Sequence, residues 1–196
     1  MNARENPFAT DRAQRLLTFR PEWADTSMGQ LTNQWEKLNR RASILGRHGS
    51  GKSTLLASWK HHLETNKHPV IHLFLNRESR SFSTTQWNQI ANCQGQTILL
   101  DGEEQLSWKQ RHRFYQLSKN ASGILVTRHK KGRLPTLCHL DPGIETLHRC
   151  IRELAPNHYQ TLSTHLPTWW KQHRGNIREI LLECYDFISK SHQTPP

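Results

Sequence analysis

The chain of 196 residues carries 27 Lys and Arg against 16 Asp and Glu, a formal net charge of +11, with a pI near 10. That length accommodates one ordinary domain, or a core with a small lid, and excludes large architectures. The charge favours nucleic acid or another anionic surface as a partner; no apolar run approaches the roughly twenty residues of a spanning helix, and Met1 to Glu5 begin no signal-peptide core, so a cytoplasmic chain without membrane insertion is expected.

Four cysteines, Cys93, Cys138, Cys150 and Cys184, lie far apart without a C-x-x-C, which fits reduced, mostly buried thiols. Neither His68 with His72 nor Cys138, His139, His148 and Cys150 match a metal-ligand spacing. The basic residues are scattered along the chain rather than gathered in a tail.

Residues 1 to 28 are polar and punctuated by Pro7 and Pro21, which predicts an irregular lead-in laid against the domain. A short helix is expected from about Gln30 to Asn39, with Leu31, Trp35 and Leu38 on one stripe. Ala42 to Leu45 reads as a buried strand. It runs into Gly46-Arg47-His48-Gly49-Ser50-Gly51-Lys52-Ser53-Thr54, which satisfies G-x-x-x-x-G-K-[ST]. In that pattern glycines let backbone N–H groups close around phosphate oxygens, Lys52 reaches the β and γ phosphates, and Ser53 coordinates Mg²⁺. Leu55, Leu56, Trp59 and Leu63 then recur at helical spacing, which distinguishes a strand–loop–helix unit from a plain Gly/Ser turn. A helix N-terminus adds its dipole to the loop's own amides, so the site prefers a polyphosphate. The lead-in could cover the adenine.

Val70 to Leu75 reads as a second strand, Ser83 to Gln94 as a surface helix, and Thr97 to Asp101 as a third strand closed by an acid. A carboxylate at the tip of a buried strand beside a phosphate loop can hold Mg²⁺ directly or through water; an aspartate capping the next helix is the plainer alternative. Glu103 and Glu104 follow as candidate bases for an attacking water. A helix is expected from Glu103 to Lys119, with Leu106, Phe114 and Leu117 inward and Lys109, Arg111 and Arg113 on the wetter side. Gly123 to Arg128 and Pro135 to Leu140 read as the fourth and fifth strands. Asp141 as cap and Pro142 at the first helical position start a helical segment in which Ile144, Leu147, Ile151 and Leu154 share a face. A short helix is expected over Asn157 to His165, and another opens at Pro167 and ends at Gly175. The last carries Ile177, Ile180, Leu181, Cys184, Tyr185 and Ile188 as a core stripe with Arg178 beside it. The expected organisation is a lead-in and short helix over 1–40, a phosphate-loop core over 41–140, a helical lid over 141–190 and a tail over 191–196.

From about residue 6 to 189 the chain resembles the AAA+ and STAND branch of P-loop ATPases. Gly175-Asn176-Ile177-Arg178-Glu179-Ile180 is similar to the sensor 2 segment of bacterial enhancer-binding AAA+ proteins, and Leu125-Val126-Thr127-Arg128 to the strand tip of STAND ATPases. The resemblance implies a three-layer α/β fold with a parallel five-stranded sheet in the order 5-1-4-3-2 and a small C-terminal helical lid. It implies ATP and Mg²⁺ as ligands, Arg128 as a γ-phosphate sensor and Arg178 as the lid's contact to the nucleotide. AAA+ proteins carry Asp-Glu where this chain has Asp101-Gly102; NACHT-type STAND proteins share Asp-Gly with acids later, which makes Glu104 the matching base. A surface arginine paired with Glu179 or Glu183 is the alternative for Arg178. The expected function is ATP hydrolysis that switches or remodels a protein or nucleic-acid partner. A nucleotide-gated binding module and a small-molecule kinase are the alternatives, and assembly into a homo-oligomer stays open.

Overall fold

A computed structural model describes residues 6–191, so the expected tail falls outside them except for Ser191. In chain order the elements are α1 (Thr10–Leu16), α2 (Met28–Lys37), β1 (Arg41–Gly46), α3 (Lys52–Thr65), β2 (Val70–Phe74), α4 (Thr84–Ala91), β3 (Thr97–Asp101), α5 (Trp108–Leu117), β4 (Gly123–Arg128), β5 (Thr136–Leu140), α6 (Ile144–Leu154), α7 (Tyr159–Ser163), α8 (Leu166–Gln172) and α9 (Ile177–Ser191). The strands form one sheet in the order 2-3-4-1-5, with every neighbouring pair parallel. This is the expected order 5-1-4-3-2 read from the other edge. β3 and β4 are buried at every position, whereas at the edges β2 alternates and β5 buries only Leu137 and Leu140, as central and edge strands of a helix-covered parallel sheet differ.

The described residues divide into two compact units. The sheet unit takes Asp25–Gly46 and Gly51–Leu140; the helical unit takes the described residues up to Ala24, Arg47–Ser50 and those from Asp141 onward.

In the sheet unit, alternate residues of the strands, Ile71, Leu73, Ile98, Leu100, Ile124 and Val126, pack with Ile90 of α4 and Phe114 of α5. Leu99 and Leu125 between them are also wholly buried, as are Leu55, Leu56 and Trp59 of α3. Each such side chain contributes about 1.5–3 kcal/mol relative to exposure. Trp59 meets Trp35 of α2 edge-to-face, with ring centroids 5.5 Å apart. The single helix expected from Glu103 to Lys119 is broken. A 3₁₀ turn covers Glu103–Gln105, Leu106 is extended, and Ser107 opens α5 in a reciprocal capping box with Gln110. A serine that caps a new helix competes with continuing the old one.

In the helical unit, Leu147, Ile151 and Leu154 of α6 share a core with Ile177, Ile180, Cys184 and Ile188 of α9, so the expected stripes face inward. The lead-in is less irregular than its prolines suggested. It contains α1 and a 3₁₀ turn at Pro21–Ala24, and Ala13 and Leu17 pack on this core beside the buried Phe8. One-turn spacing of two small apolar residues is too short a pattern to announce a helix. Asn6 anchors the segment, its amide donating to Tyr185 O and Ser189 Oγ at 3.0 Å each. Gly143, not Asp141, is the N-cap of α6. Instead of the helix expected over Asn157 to His165, a 3₁₀ turn at Pro156–His158 leads into α7. Among the described residues no helix is long and apolar enough to cross a membrane.

Candidate nucleotide-binding site

α3 begins unlike the other helices of the sheet unit. Ser27, Ser83 and Ser107 cap α2, α4 and α5 with their hydroxyls, whereas α3 starts at Gly51, φ +89°, with no side-chain cap. Its first N–H groups are thereby left to bind something else, and together with the helix dipole they suit an anion. Lys52 follows, buried, its Nζ donating to Gly46 O at 2.8 Å and lying 3.4 Å from His129 Nδ1. Burial pushes the Lys52 pKa down, and the charges of Glu104 and Asp101 offset part of that shift. These carboxylates therefore act on the same ammonium. Ser53 is exposed and Thr54 half-buried on the first turn of the helix.

Asp101 is buried at the end of β3. Its Oδ1 accepts from Thr127 Oγ1 at 2.5 Å, and the same hydroxyl accepts from Gly102 N at 2.9 Å. Thr127, on the neighbouring strand, thus uses both capacities of its hydroxyl to fix the acid and the turn after it. Gly102 has φ +87°, and a Cβ there would collide with Leu75 O. No side chain fits directly after Asp101 in this turn, so the acids begin at Glu103.

The two glutamates differ. Glu103 is wholly buried and receives Arg128, Arg111 at 2.9 Å and the Tyr115 hydroxyl at 3.2 Å. Burial, first, and the Glu103 charge, second, push the Tyr115 pKa up, so the phenol stays a donor. Arg128 also gives its Nε to Lys130 O at 3.0 Å. Glu104 is half-buried, with Oε1 3.0 Å from His129 Nε2, while Oε2 is buried without a hydrogen-bond partner among the described residues. Leaving such an acceptor unpaired costs about 1–3 kcal/mol, and it suits a donor such as a water hydroxyl. His129 Nδ1 is also 3.0 Å from Gly46 O. With Nε2–H donating to Glu104, Nδ1 either accepts from Lys52 or, in the imidazolium, donates to Gly46.

In the helical unit, Arg47 reaches Asp141 Oδ1 at 2.7 Å and Arg174 O at 3.3 Å, so Asp141 serves an ion pair rather than a cap. Gly49 has φ +70°, and a Cβ would collide with the Asn176 amide and approach Ile177 N to 3.0 Å. Asn176 opens α9, its carbonyl accepting from Ile180 N at 3.2 Å. Ser50 Oγ is buried without a partner among the described residues, and His48 and Arg178 are exposed. Glu183 pairs with His173 at 3.0 Å.

Gly46, Lys52 and Glu104 are thus linked through His129 within the sheet unit, Asp101 is fixed by Thr127, and Glu103 lies with Arg128 in a buried cluster. Thr127, His129, Arg111 and Tyr115 are the participants that reading the sequence as a site left out. The detectable signal was a polar pair flanking Arg128 at the tip of an apolar strand.

No family model matches the sequence, and no curated protein matches it. Among solved structures the chain is similar to one in the structure of Drosophila ORC bound to DNA, with 12% identity and a TM-score of 0.52. The match covers 82% of this chain and 59% of that one. At that identity the likeness is one of fold, and the chain spans less than two thirds of its neighbour.

Proposed function

We propose that the protein binds ATP with Mg²⁺ at the loop from Gly46 to Thr54 and hydrolyses it to switch a partner, protein or nucleic acid, in the manner of AAA+ and STAND ATPases. The observation that carries this reading is the buried Lys52, held by Gly46 O and beside the His129 that Glu104 contacts, at the start of a helix that no side chain caps. A buried lysine held by a carbonyl, with two acids acting on its charge, is poised to exchange partners with a polyphosphate. Ser53 and Asp101 would hold Mg²⁺, which supplies charge neutralisation at the phosphates.

In this reading the loop from Arg47 to Ser50 contributes amides and the Ser50 hydroxyl, and Lys52 neutralises the terminal phosphates. Thr127 keeps the Asp101 carboxylate oriented. Glu104 accepts the proton of the attacking water through Oε2 while His129 holds Oε1. Glu103 acts as an anchor, tying β4 to α5 through Arg128 and Arg111, so Arg128 positions that anchor instead of meeting phosphate in the free protein. Arg178, exposed two residues after Asn176, would engage phosphate oxygens through two parallel hydrogen bonds of its fork.

The His129 contact also supports a second reading, in which Glu104 is too engaged to work as a base and ATP only gates binding. Phosphate release measured alongside ATP affinity separates the two. Turnover lost in Glu104→Gln with affinity retained supports hydrolysis; binding without release in the parent supports gating.

A further inference from the structure

We propose that the outer face of α5, with the adjoining Trp87 and the loop 130–134, binds single-stranded nucleic acid. This surface lies wholly in the sheet unit and does not depend on hydrolysis.

Scattered as they are in sequence, the bases of this region are brought together by the fold. No Asp or Glu occurs from Ser79 to Leu100 or from Gln105 to Leu140, and these stretches supply α4, α5 and the loop after β4. The acids between them are committed: Asp101 to Thr127, Glu103 to its arginines, Glu104 to His129. Trp108, Lys109, His112, Arg113 and Gln116 form the exposed face of α5. Lys109 and Arg113 are four apart, a like-charge pair that costs an isolated helix a few tenths of a kcal/mol. Lys109 also sits in the first turn, where the dipole prefers an acid, and α5 has none there. Among the described residues no acid pairs with Lys109, Arg113, Lys130, Lys131 or Arg133. An anionic partner would relieve all of these repulsions.

The aromatic residues decide which anion. Trp108 is 72% exposed, with Lys109 Nζ 5.9 Å from its ring centroid. Arg113 lies over Trp87 at 4.6 Å, and Arg133 over Tyr115 at 5.0 Å, which brings the 130–134 loop onto α5. Cations beside an exposed indole are the elements of a single-strand platform, in which bases stack on rings and phosphates meet the charges. A base of any identity can stack flat on an indole while the neighbouring phosphates meet the charges, and binding to a membrane surface or an acidic peptide is separated from this by the test.

The test is fluorescence anisotropy with a labelled twenty-nucleotide oligothymidine, without ATP, over a range of salt. Trp108→Ala is expected to weaken binding roughly tenfold, and Trp108→Phe to restore most of it, because the stacking face is what matters. Lys130→Ala with Lys131→Ala should flatten the log Kd against log salt slope by about 0.7 for each phosphate no longer neutralised. Lys171→Ala, an exposed base on α8, should bind like the parent. Trp108→Ala should bind ATP like the parent, so this surface and the ATP site can fail separately. Circular dichroism checks that each variant is folded. The proposal is overturned if Trp108→Ala binds like the parent, if Lys171→Ala loses as much, or if duplex DNA, polyglutamate or anionic vesicles bind more tightly than the oligonucleotide.

Discussion

The two units handle charge in opposite ways. In the sheet unit, polar groups are drawn inside and satisfied by each other: Lys52, Asp101, Glu103, Thr127 and Arg128 are all buried, and hydrogen bonds from neighbouring strands and helices hold them. In the helical unit the core is an apolar stripe of α6 against α9, and charged groups such as Arg47, Asp141 and Arg178 are exposed. Buried polar networks are costly to disturb, since breaking one partner strands the others, while exposed charges can be removed with little effect on stability. The difference teaches where to expect folding defects and where to expect purely functional ones.

The sharpest break of that contrast is Glu103→Gln. The two arginines then lose their counter-charge and one carboxylate oxygen is replaced by an NH2 donor facing other donors, so a loss of about 3 kcal/mol is expected, a fall in Tm of roughly 6–12 °C for a chain of this size. Thermal denaturation showing an unchanged midpoint would remove Glu103 as an anchor. Glu104→Gln should leave the midpoint nearly unmoved and lower phosphate release at least about a hundredfold, the usual scale for a general base. Equal turnover in variant and parent would take the base role from it.

Thr127→Val comes next. It leaves Gly102 N–H without its acceptor and Asp101 without its donor, at about 1–3 kcal/mol, and should raise the Mg²⁺ concentration needed for half-maximal ATP binding severalfold; an unchanged Mg²⁺ dependence would show that Thr127 does not orient the acid. Arg178→Ala is the small end of the series. Stability should stay within about 0.5 kcal/mol of the parent, while ATP-induced hydrogen-exchange protection of residues 141–190 weakens. Protection equal to the parent's would make Arg178 a surface residue only.

A pH effect separates the lysine from the rest. Burial lowers the Lys52 pKa below its ordinary value of 10.5, so in the free protein the charged form costs stability. That cost is full at low pH and is relieved as pH rises from the lowered pKa towards the unfolded one. Polyphosphate needs the charged form, so ATP affinity should fall across the same alkaline window. Titrations in which affinity stays flat there would mean that Lys52 does not carry the phosphate charge.

Much of this was legible in the sequence because it is local. The strands are short apolar runs bounded by Gly, Pro or polar residues, and the loop from Gly46 to Thr54 is contiguous, as is Asp101 at the end of its strand. What stayed hidden comes from afar. Thr127 reaches Asp101 across 26 positions and His129 reaches Lys52 across 77, and their place on either side of Arg128 at a strand tip does not say which residue each will meet. The division of labour between Glu103 and Glu104 was hidden for the same reason: adjacent and chemically alike, they part only when Gly102 turns the chain. α1 escaped because its apolar pair spans one turn, and the break before α5 because the capping box of Ser107 and Gln110 lies inside a helical pattern.

The central claim is that Lys52 stands in a polyphosphate site, and calorimetric titration of ATP with Mg²⁺ into the parent and Lys52→Ala tests it most directly. Saturable binding to the parent, weakened at least about a hundredfold in a folded Lys52→Ala, is the result expected, since amides alone offset only part of the phosphate charge. Equal affinity in the two proteins would contradict it.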